Sequence, residues 1–246
     1  MTNPLFESFS LQSVFTFIKA FCIGTIPSII WLMFWLREDS EKPEPRKLLL
    51  ITFILGMFGV LLVIPLQKIV STLFVNQQIL VVVWAFIEEA VKCLLVILVV
   101  RPTFEIEQPI DYAIYLIVGG LGFAALENTL YILKPVLLKD NVVVFLTGNL
   151  RFMGSTLLHA TASGLVGIVI GLSFFQNKQI KYLSAGIGLI LATLLHSTFN
   201  FFIMKGEGKS TLQIFIFLWV FTTIIILLFE KLRRMSGEYD PREEEY

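Results

Sequence analysis

Long, nearly unbroken apolar runs constrain the fold of this chain more than any other feature of its sequence. Hydrophobic residues make up 56% of its 246 positions, and several runs approach the roughly 20 residues that an α-helix needs to cross a bilayer. Lipid cannot hydrogen-bond an exposed backbone, so only helices and closed barrels span it. The sequence therefore predicts an all-α, polytopic transmembrane helix bundle. About seven spans are expected, at residues 15–36, 48–66, 79–100, 112–133, 152–175, 182–204 and 212–229.

The stretch 142–150 is apolar but too short to cross the membrane, so an interfacial and a re-entrant position both remain open. No segment has the composition of a soluble domain, and residues 1–246 are expected to form a single integral-membrane domain. The formal net charge is zero, which favours no nucleic-acid partner.

Basic residues predict the orientation of the spans. The loop after the first span and the C-terminal tail are rich in lysine and arginine, whereas the segment before the first span has none. The positive-inside rule then places the N-terminus outside and the C-terminus in the cytoplasm of a multi-pass cell-membrane protein. The residues that carry this bias are Arg37, Lys42, Arg46, Lys47, Lys231, Arg233, Arg234 and Arg242.

Five acidic or histidine residues lie inside the predicted spans and are the candidate functional residues. Such a group costs about 2.5–3.5 kcal/mol at the bilayer centre on insertion scales, so it indicates a functional site. Counted from the predicted span ends at 1.5 Å per residue, Glu88 and the three candidates on other helices lie roughly 9–14 Å below the outer surface. A shared depth predicts one shared site. The residues are Glu88, Glu89, Glu127, His159 and His196.

Two kinds of chemistry suit this set. Lys92 follows Glu88 by four residues and Glu89 by three, so it can reach either carboxylate on a helix. A carboxylate base with histidine and asparagine donors suits the attack of water on a carbonyl group. Alternatively, two glutamates and two histidines are ligands that zinc accepts. The possible zinc ligands are Glu88, Glu127, His159 and His196.

The order of the motifs resembles the PrsW family of bacterial intramembrane proteases, over about residues 37–200. Residues 88–92 resemble its EExxK motif, and residues 120–128 resemble its GxGFxxxEN segment. His159 and the pair His196 and Asn200 are similar to two later histidine motifs, with Arg151 ahead of them. Residues 41–45 resemble an E-P-E-P loop that is interrupted here by Lys42. The motif-bearing core of the domain is expected to cover residues 37–204.

The resemblance implies roles for particular residues. In the wider group, which includes the CAAX prenyl endopeptidases and bacteriocin-processing membrane proteases, the first glutamate of the pair activates water. Carried over, Glu88 is the base, and His196 and Asn200 bind the oxyanion. Glu127 stands where the CAAX enzymes have a histidine. The full candidate catalytic set is Glu88, Glu89, Glu127, His159, His196 and Asn200, supported by Lys92, Asn128, Phe123 and Arg151.

The leading interpretation is an intramembrane endopeptidase that cleaves a membrane-anchored protein near its extracytoplasmic face with a glutamate-activated water. The resemblance implies an anti-sigma factor as the substrate and the lipid bilayer as the other partner. The alternatives are a proton- or ion-coupled transporter, a non-catalytic membrane scaffold, or a zinc-dependent membrane metalloprotease. Because the Lys92 ammonium would repel a divalent cation, we expect no obligatory cofactor, although zinc is possible.

Overall fold

The computed structural model describes residues 11–38, 43–103, 105–205 and 211–237. These residues form helices and short connections without any β-strand, which confirms the all-α prediction. Short 3₁₀ and π segments occur at Arg101–Thr103 and Arg151–Thr156. The α-helices are α1 (Leu11–Glu38), α2 (Arg46–Leu73), α3 (Gln77–Val100), α4 (Asp111–Leu137), α5 (Asn141–Leu150), α6 (Leu157–Gly171), α7 (Lys178–Lys205) and α8 (Thr211–Gly237).

The prediction of about seven membrane spans is confirmed. Six helical stretches within the described chain are long and apolar enough to cross a membrane. The seventh is α3, whose 24 residues reach about 36 Å but carry three charged side chains. Those side chains belong to Glu88, Glu89 and Lys92, so the span that carries the paired glutamates is set apart by its charges and not by its length.

The fifth span differs from its prediction. Helix α5, the π segment and α6 are continuous from Asn141 to Gly171, so residues 142–150 are the first part of this span rather than a separate segment. The side chain of Asp140 caps this helix by accepting a hydrogen bond from the Val143 amide at 3.0 Å. The predicted start at residue 152 was wrong, because the polar residues near 150 do not interrupt the helix. The predicted end at 175 was also too late.

Helix α4 lies between α1, α2 and α6, and its glycines set how closely these helices approach. A Cβ atom at Gly122 would lie 2.0 Å from the Phe53 carbonyl oxygen of α2, and one at Gly120 would lie 2.8 Å from the His159 carbonyl oxygen of α6. Only glycine permits such backbone contacts. The tight packing of α4 on α6 therefore brings Glu127 beside His159.

Candidate active site

Four helices deliver the ionisable residues to the middle of the bundle. Helix α3 carries Glu88 and Glu89, α4 carries Glu127, α6 carries His159 and α7 carries His196. Because the helices extend beyond their predicted ends, Glu88 lies eleven residues inside α3, about 16 Å from its start. Glu88 therefore lies further from the end of its helix than the sequence predicted.

Glu89 is the centre of the most buried part of this site. Its Oε1 accepts hydrogen bonds from Lys92 Nζ and from His196 Nδ1, both at 2.6 Å. Lys92 also donates to His159 Nδ1 at 3.1 Å. Glu89 and Lys92 are each only 1% exposed, so their opposite charges have almost no water to screen them. Lys92 thus neutralises Glu89 rather than Glu88, and this ion pair connects His159 to His196.

Glu88 is held in a different way. Its Oε1 accepts a hydrogen bond from Gln67 Nε2 of α2 at 2.8 Å. Its Oε2 is buried and has no hydrogen-bond partner within the described residues. The same oxygen lies 3.6 Å from His196 Nε2. Glu88 therefore presents one uncommitted oxygen beside a histidine nitrogen.

His159 is fixed from both sides. With Nδ1 accepting from Lys92, its Nε2 carries the proton and donates to Glu127 Oε2 at 3.1 Å. Glu127 is also bound by the guanidinium of Arg151 and accepts from Ser155 Oγ at 3.2 Å. Arg151 and Ser155 belong to the π segment, a distortion that occurs frequently at functional sites. The ion pair Arg151–Glu127 thus stabilises the outer side of His159.

The remaining candidate residues fall into two groups. Asn200 lies one turn after His196 and lines the cavity described next, and the Phe123 ring packs 5.2 Å from the His159 ring. Asn128 instead donates to the Gly24 carbonyl at 3.3 Å and to Thr156 Oγ1 at 2.8 Å. It is fully buried and connects helices rather than facing the cavity.

A cavity of about 760 Å³ opens from these groups towards the end of the bundle where α3 and α8 begin and α4 and α7 end. Its volume lies within the range typical of ligand-binding clefts, about 300–1,000 Å³. The polar lining includes Gln67, Glu88, Glu127, Arg151, Ser155, His159, His196 and Asn200. The apolar lining includes Val60, Val63, Ile64, Trp84, Leu130, Phe199, Ile203, Met204 and Phe215.

Sequence reasoning left several polar lining residues out of the candidate site, among them Gln67 and Ser155. Gln67 follows the predicted end of span two at residue 66, but α2 continues to Leu73 and keeps this glutamine inside the bundle. A polar residue directly after an apolar run was the only available signal for it.

The loop that resembles E-P-E-P does not join the site. Glu44 accepts a hydrogen bond from the Tyr115 hydroxyl near the start of α4, and Pro45 directly precedes α2. This contact lies at the opposite end of α2 and α4 from the cavity. Glu41 and Lys42 lie outside the described residues.

Three of the candidate residues could hold a metal ion. Glu88, His159 and His196 offer ligand atoms that all lie within 4.8 Å of one another, and catalytic zinc sites commonly use three such protein ligands. The contact of His196 Nδ1 with Glu89 matches the carboxylate that usually supports a zinc-bound histidine. The donor set therefore fits zinc, provided that His159 gives up one of its two contacts.

Comparisons with known proteins find relatives of this chain among intramembrane proteases. The sequence profile described as PrsW family intramembrane metalloprotease matches residues 44–228. Protease PrsW of Geobacillus kaustophilus (strain HTA426) is 28% identical over 190 residues, which cover 75% of this chain and 79% of the relative. Protease PrsW of Bacillus subtilis (strain 168) is 25% identical over 211 residues, covering 80% and 89%. Protease PrsW of Clostridioides difficile (strain 630) is 28% identical over 194 residues, covering 75% and 79%. No solved structure matches the chain.

Proposed function

Because the chain belongs to the PrsW family of intramembrane proteases and is a multi-pass membrane peptidase, we propose that it hydrolyses membrane-anchored proteins with a water activated by Glu88. The observation that supports this role most directly is the free Oε2 of Glu88, buried beside His196 at the inner end of the cavity. A carboxylate so placed can accept a proton from water that enters between it and a bound peptide.

The proposed reaction is a general-base hydrolysis. Glu88 takes a proton from the water molecule while the water oxygen attacks the scissile carbonyl carbon. Glu88 then passes this proton to the amine nitrogen as the C–N bond breaks. His196 and Asn200 donate hydrogen bonds to the oxyanion of the tetrahedral intermediate. Because Nδ1 of His196 already donates to Glu89, this role requires a second proton on Nε2.

A metal-dependent form of the same hydrolysis is the second candidate, since three ligand atoms converge and the family is described as a metalloprotease family. Glu88, His159 and His196 would hold the ion, which would acidify a bound water and polarise the scissile carbonyl. This form requires a free lone pair on His196 Nε2, whereas the metal-free form requires a proton there. The protonation state of His196 Nε2 therefore distinguishes the metal-free from the metal-dependent hydrolysis.

The position of the site within the bundle indicates the backbone conformation in which a substrate reacts. A peptide bond within a helix has its carbonyl hydrogen-bonded to the chain, so a membrane-anchored substrate has to unwind locally before its carbonyl reaches Glu88. Apolar walls from α2, α7 and α8 suit an extended apolar segment. By the distribution of basic residues, the open end of the cavity faces the extracytoplasmic side of the cell membrane. Residues 1–10 and 238–246 lie outside the described residues.

Resemblance to the family suggests a membrane-anchored anti-sigma factor as the first substrate to test. Comparing new protein N-termini in membranes from cells that express the wild type or Glu88→Gln would identify substrates without that assumption. A purified substrate in proteoliposomes then tests the mechanism. We expect Glu88→Gln to abolish cleavage while folding normally, because glutamine keeps the shape but cannot accept the proton. Glu107→Gln, an exposed change of the same kind, is the control. Cleavage by Glu88→Gln at the wild-type rate would refute the proposed role.

A further inference from the structure

Gln67 contacts the proposed base from a helix that carries none of the ionisable candidates. Its side-chain Nε2 donates to Glu88 Oε1 at 2.8 Å across the interface between α2 and α3. Glu88 Oε2 receives no such bond from any described residue. The two oxygens of this carboxylate are therefore unequal, and Gln67 is the residue that makes them so.

The geometry of the helical hairpin explains how the two side chains meet. Helices α2 and α3 are joined by a short connection, and Asn76 caps α3 by accepting from the amides of Gln78 and Ile79. Side chains tilt towards the N-terminus of their own helix, so in an antiparallel pair Gln67 and Glu88 lean towards each other. Trp84 Nε1 also donates to the Gln67 carbonyl oxygen at 3.4 Å, which links the two helices near this contact.

The hydrogen bond limits rotation of the Glu88 carboxylate. While Gln67 holds Oε1, Oε2 stays directed towards His196 Nε2, 3.6 Å away. Without the amide, Oε1 would lose this donor and the carboxylate could turn towards other donors, such as Lys92 one turn away. Small displacements of a reacting group lower rates strongly because the reacting atoms no longer align.

We infer that Gln67 is a positioning residue for the hydrolysis: its amide holds one oxygen of Glu88 so that the other oxygen faces the water. This inference rests on the proposed role of Glu88 as the base. Gln67 lines the cavity, and one of its two amide hydrogens is directed at Glu88, so we assign it a role through Glu88 rather than on the peptide.

The test is Gln67→Met, which keeps the length of the side chain and removes the donor. Losing a supporting hydrogen bond of this kind typically lowers activity by about 10–100-fold, so kcat should fall by that factor with KM unchanged within about twofold. Gln67→His places an N–H the same number of bonds from the backbone and should recover part of kcat. Gln78→Met, the same substitution at an exposed glutamine, is the matched control and should behave as wild type.

Each outcome decides the inference. A Gln67→Met enzyme with wild-type kcat, a change confined to KM, or a Gln67→His enzyme no better than Gln67→Met would overturn it. If Gln67→Met does not fold, Gln67→Leu takes its place, because it is a smaller apolar change that also removes the donor; it should lose kcat in the same way. An active Glu88→Gln enzyme would refute the proposed function itself. An inactive Glu88→Gln with a fully active Gln67→Met would refute only the positioning role.

Discussion

Replacing Lys92 by methionine should destabilise the bundle strongly, because it would leave a buried carboxylate without its cation. Lys92 Nζ lies 2.6 Å from Glu89 Oε1, and both side chains are 1% exposed. Removing one partner of a buried ion pair costs about 3–5 kcal/mol, chiefly the penalty of the unpaired charge. His196 still donates to Glu89 Oε1, so we expect a loss of stability near 3 kcal/mol, the lower end of that range.

A double-mutant cycle with Glu89→Gln separates this charge effect from lost packing. The double variant Lys92→Met with Glu89→Gln removes both charges, so it should recover most of the stability lost in Lys92→Met. Activity should stay low, because His159 no longer receives the hydrogen bond from Lys92. Lys68→Met, at an exposed position on α2, is the control and should change stability by less than about 0.5 kcal/mol.

The assay is reversible unfolding of the purified protein in mixed micelles, followed by circular dichroism, with cleavage measured in parallel. Two results would refute the reasoning. If Lys92→Met unfolds like the wild type, the ion pair does not stabilise the bundle. If the double variant is as unstable as Lys92→Met alone, the loss arises from packing around Phe123, whose ring lies 5.1 Å from Lys92 Nζ, and not from charge.

Two further predictions concern the chemistry. His196→Ala and Asn200→Ala should each lower kcat by roughly 10²–10³-fold if both residues bind the oxyanion. The double variant should lose less activity than the product of the two single losses, because the residues act on one oxygen. If steady-state kinetics show that the two losses multiply and that only KM changes, both residues serve substrate binding instead. Dialysis against a strong chelator should leave activity, with less than one zinc per chain by elemental analysis, because Lys92 lies 3.1 Å from His159 and opposes a cation there. Activity lost on chelation and restored by stoichiometric zinc would instead establish the metal-dependent form.

Much of the fold could be predicted because it depends on local composition. Each span is a run of apolar residues whose helical state follows from the need to satisfy the backbone in lipid. The fifth span was the exception, since the polar residues near 150 made the apolar stretch 142–150 look separate from a span that begins at 152. Asn149 donates to the Phe145 carbonyl of the same helix, and Arg151 donates to Glu127 and Asn128 of α4, so the helix continues through them.

The candidate residues of the site were also recognisable from the sequence, because an ionisable group in an apolar run is costly unless it has a partner. The contacts of these residues could not be predicted from the sequence. Lys92 can reach either Glu88 or Glu89 by helical spacing, and spacing alone cannot choose between them. The structure pairs it with Glu89, since His196 binds Glu89 from α7 while Gln67 binds Glu88 from α2.

By itself, the sequence determined the helices, their residence in a membrane and the identity of the polar residues within them, because each depends on neighbours a few positions away. Only the tertiary structure decided which glutamate is neutralised and which keeps a free oxygen. Those contacts join residues 21 and 107 positions apart, Gln67 to Glu88 and Glu89 to His196. Such pairs depend on how α3 packs against α2 and α7, which no local sequence pattern specifies.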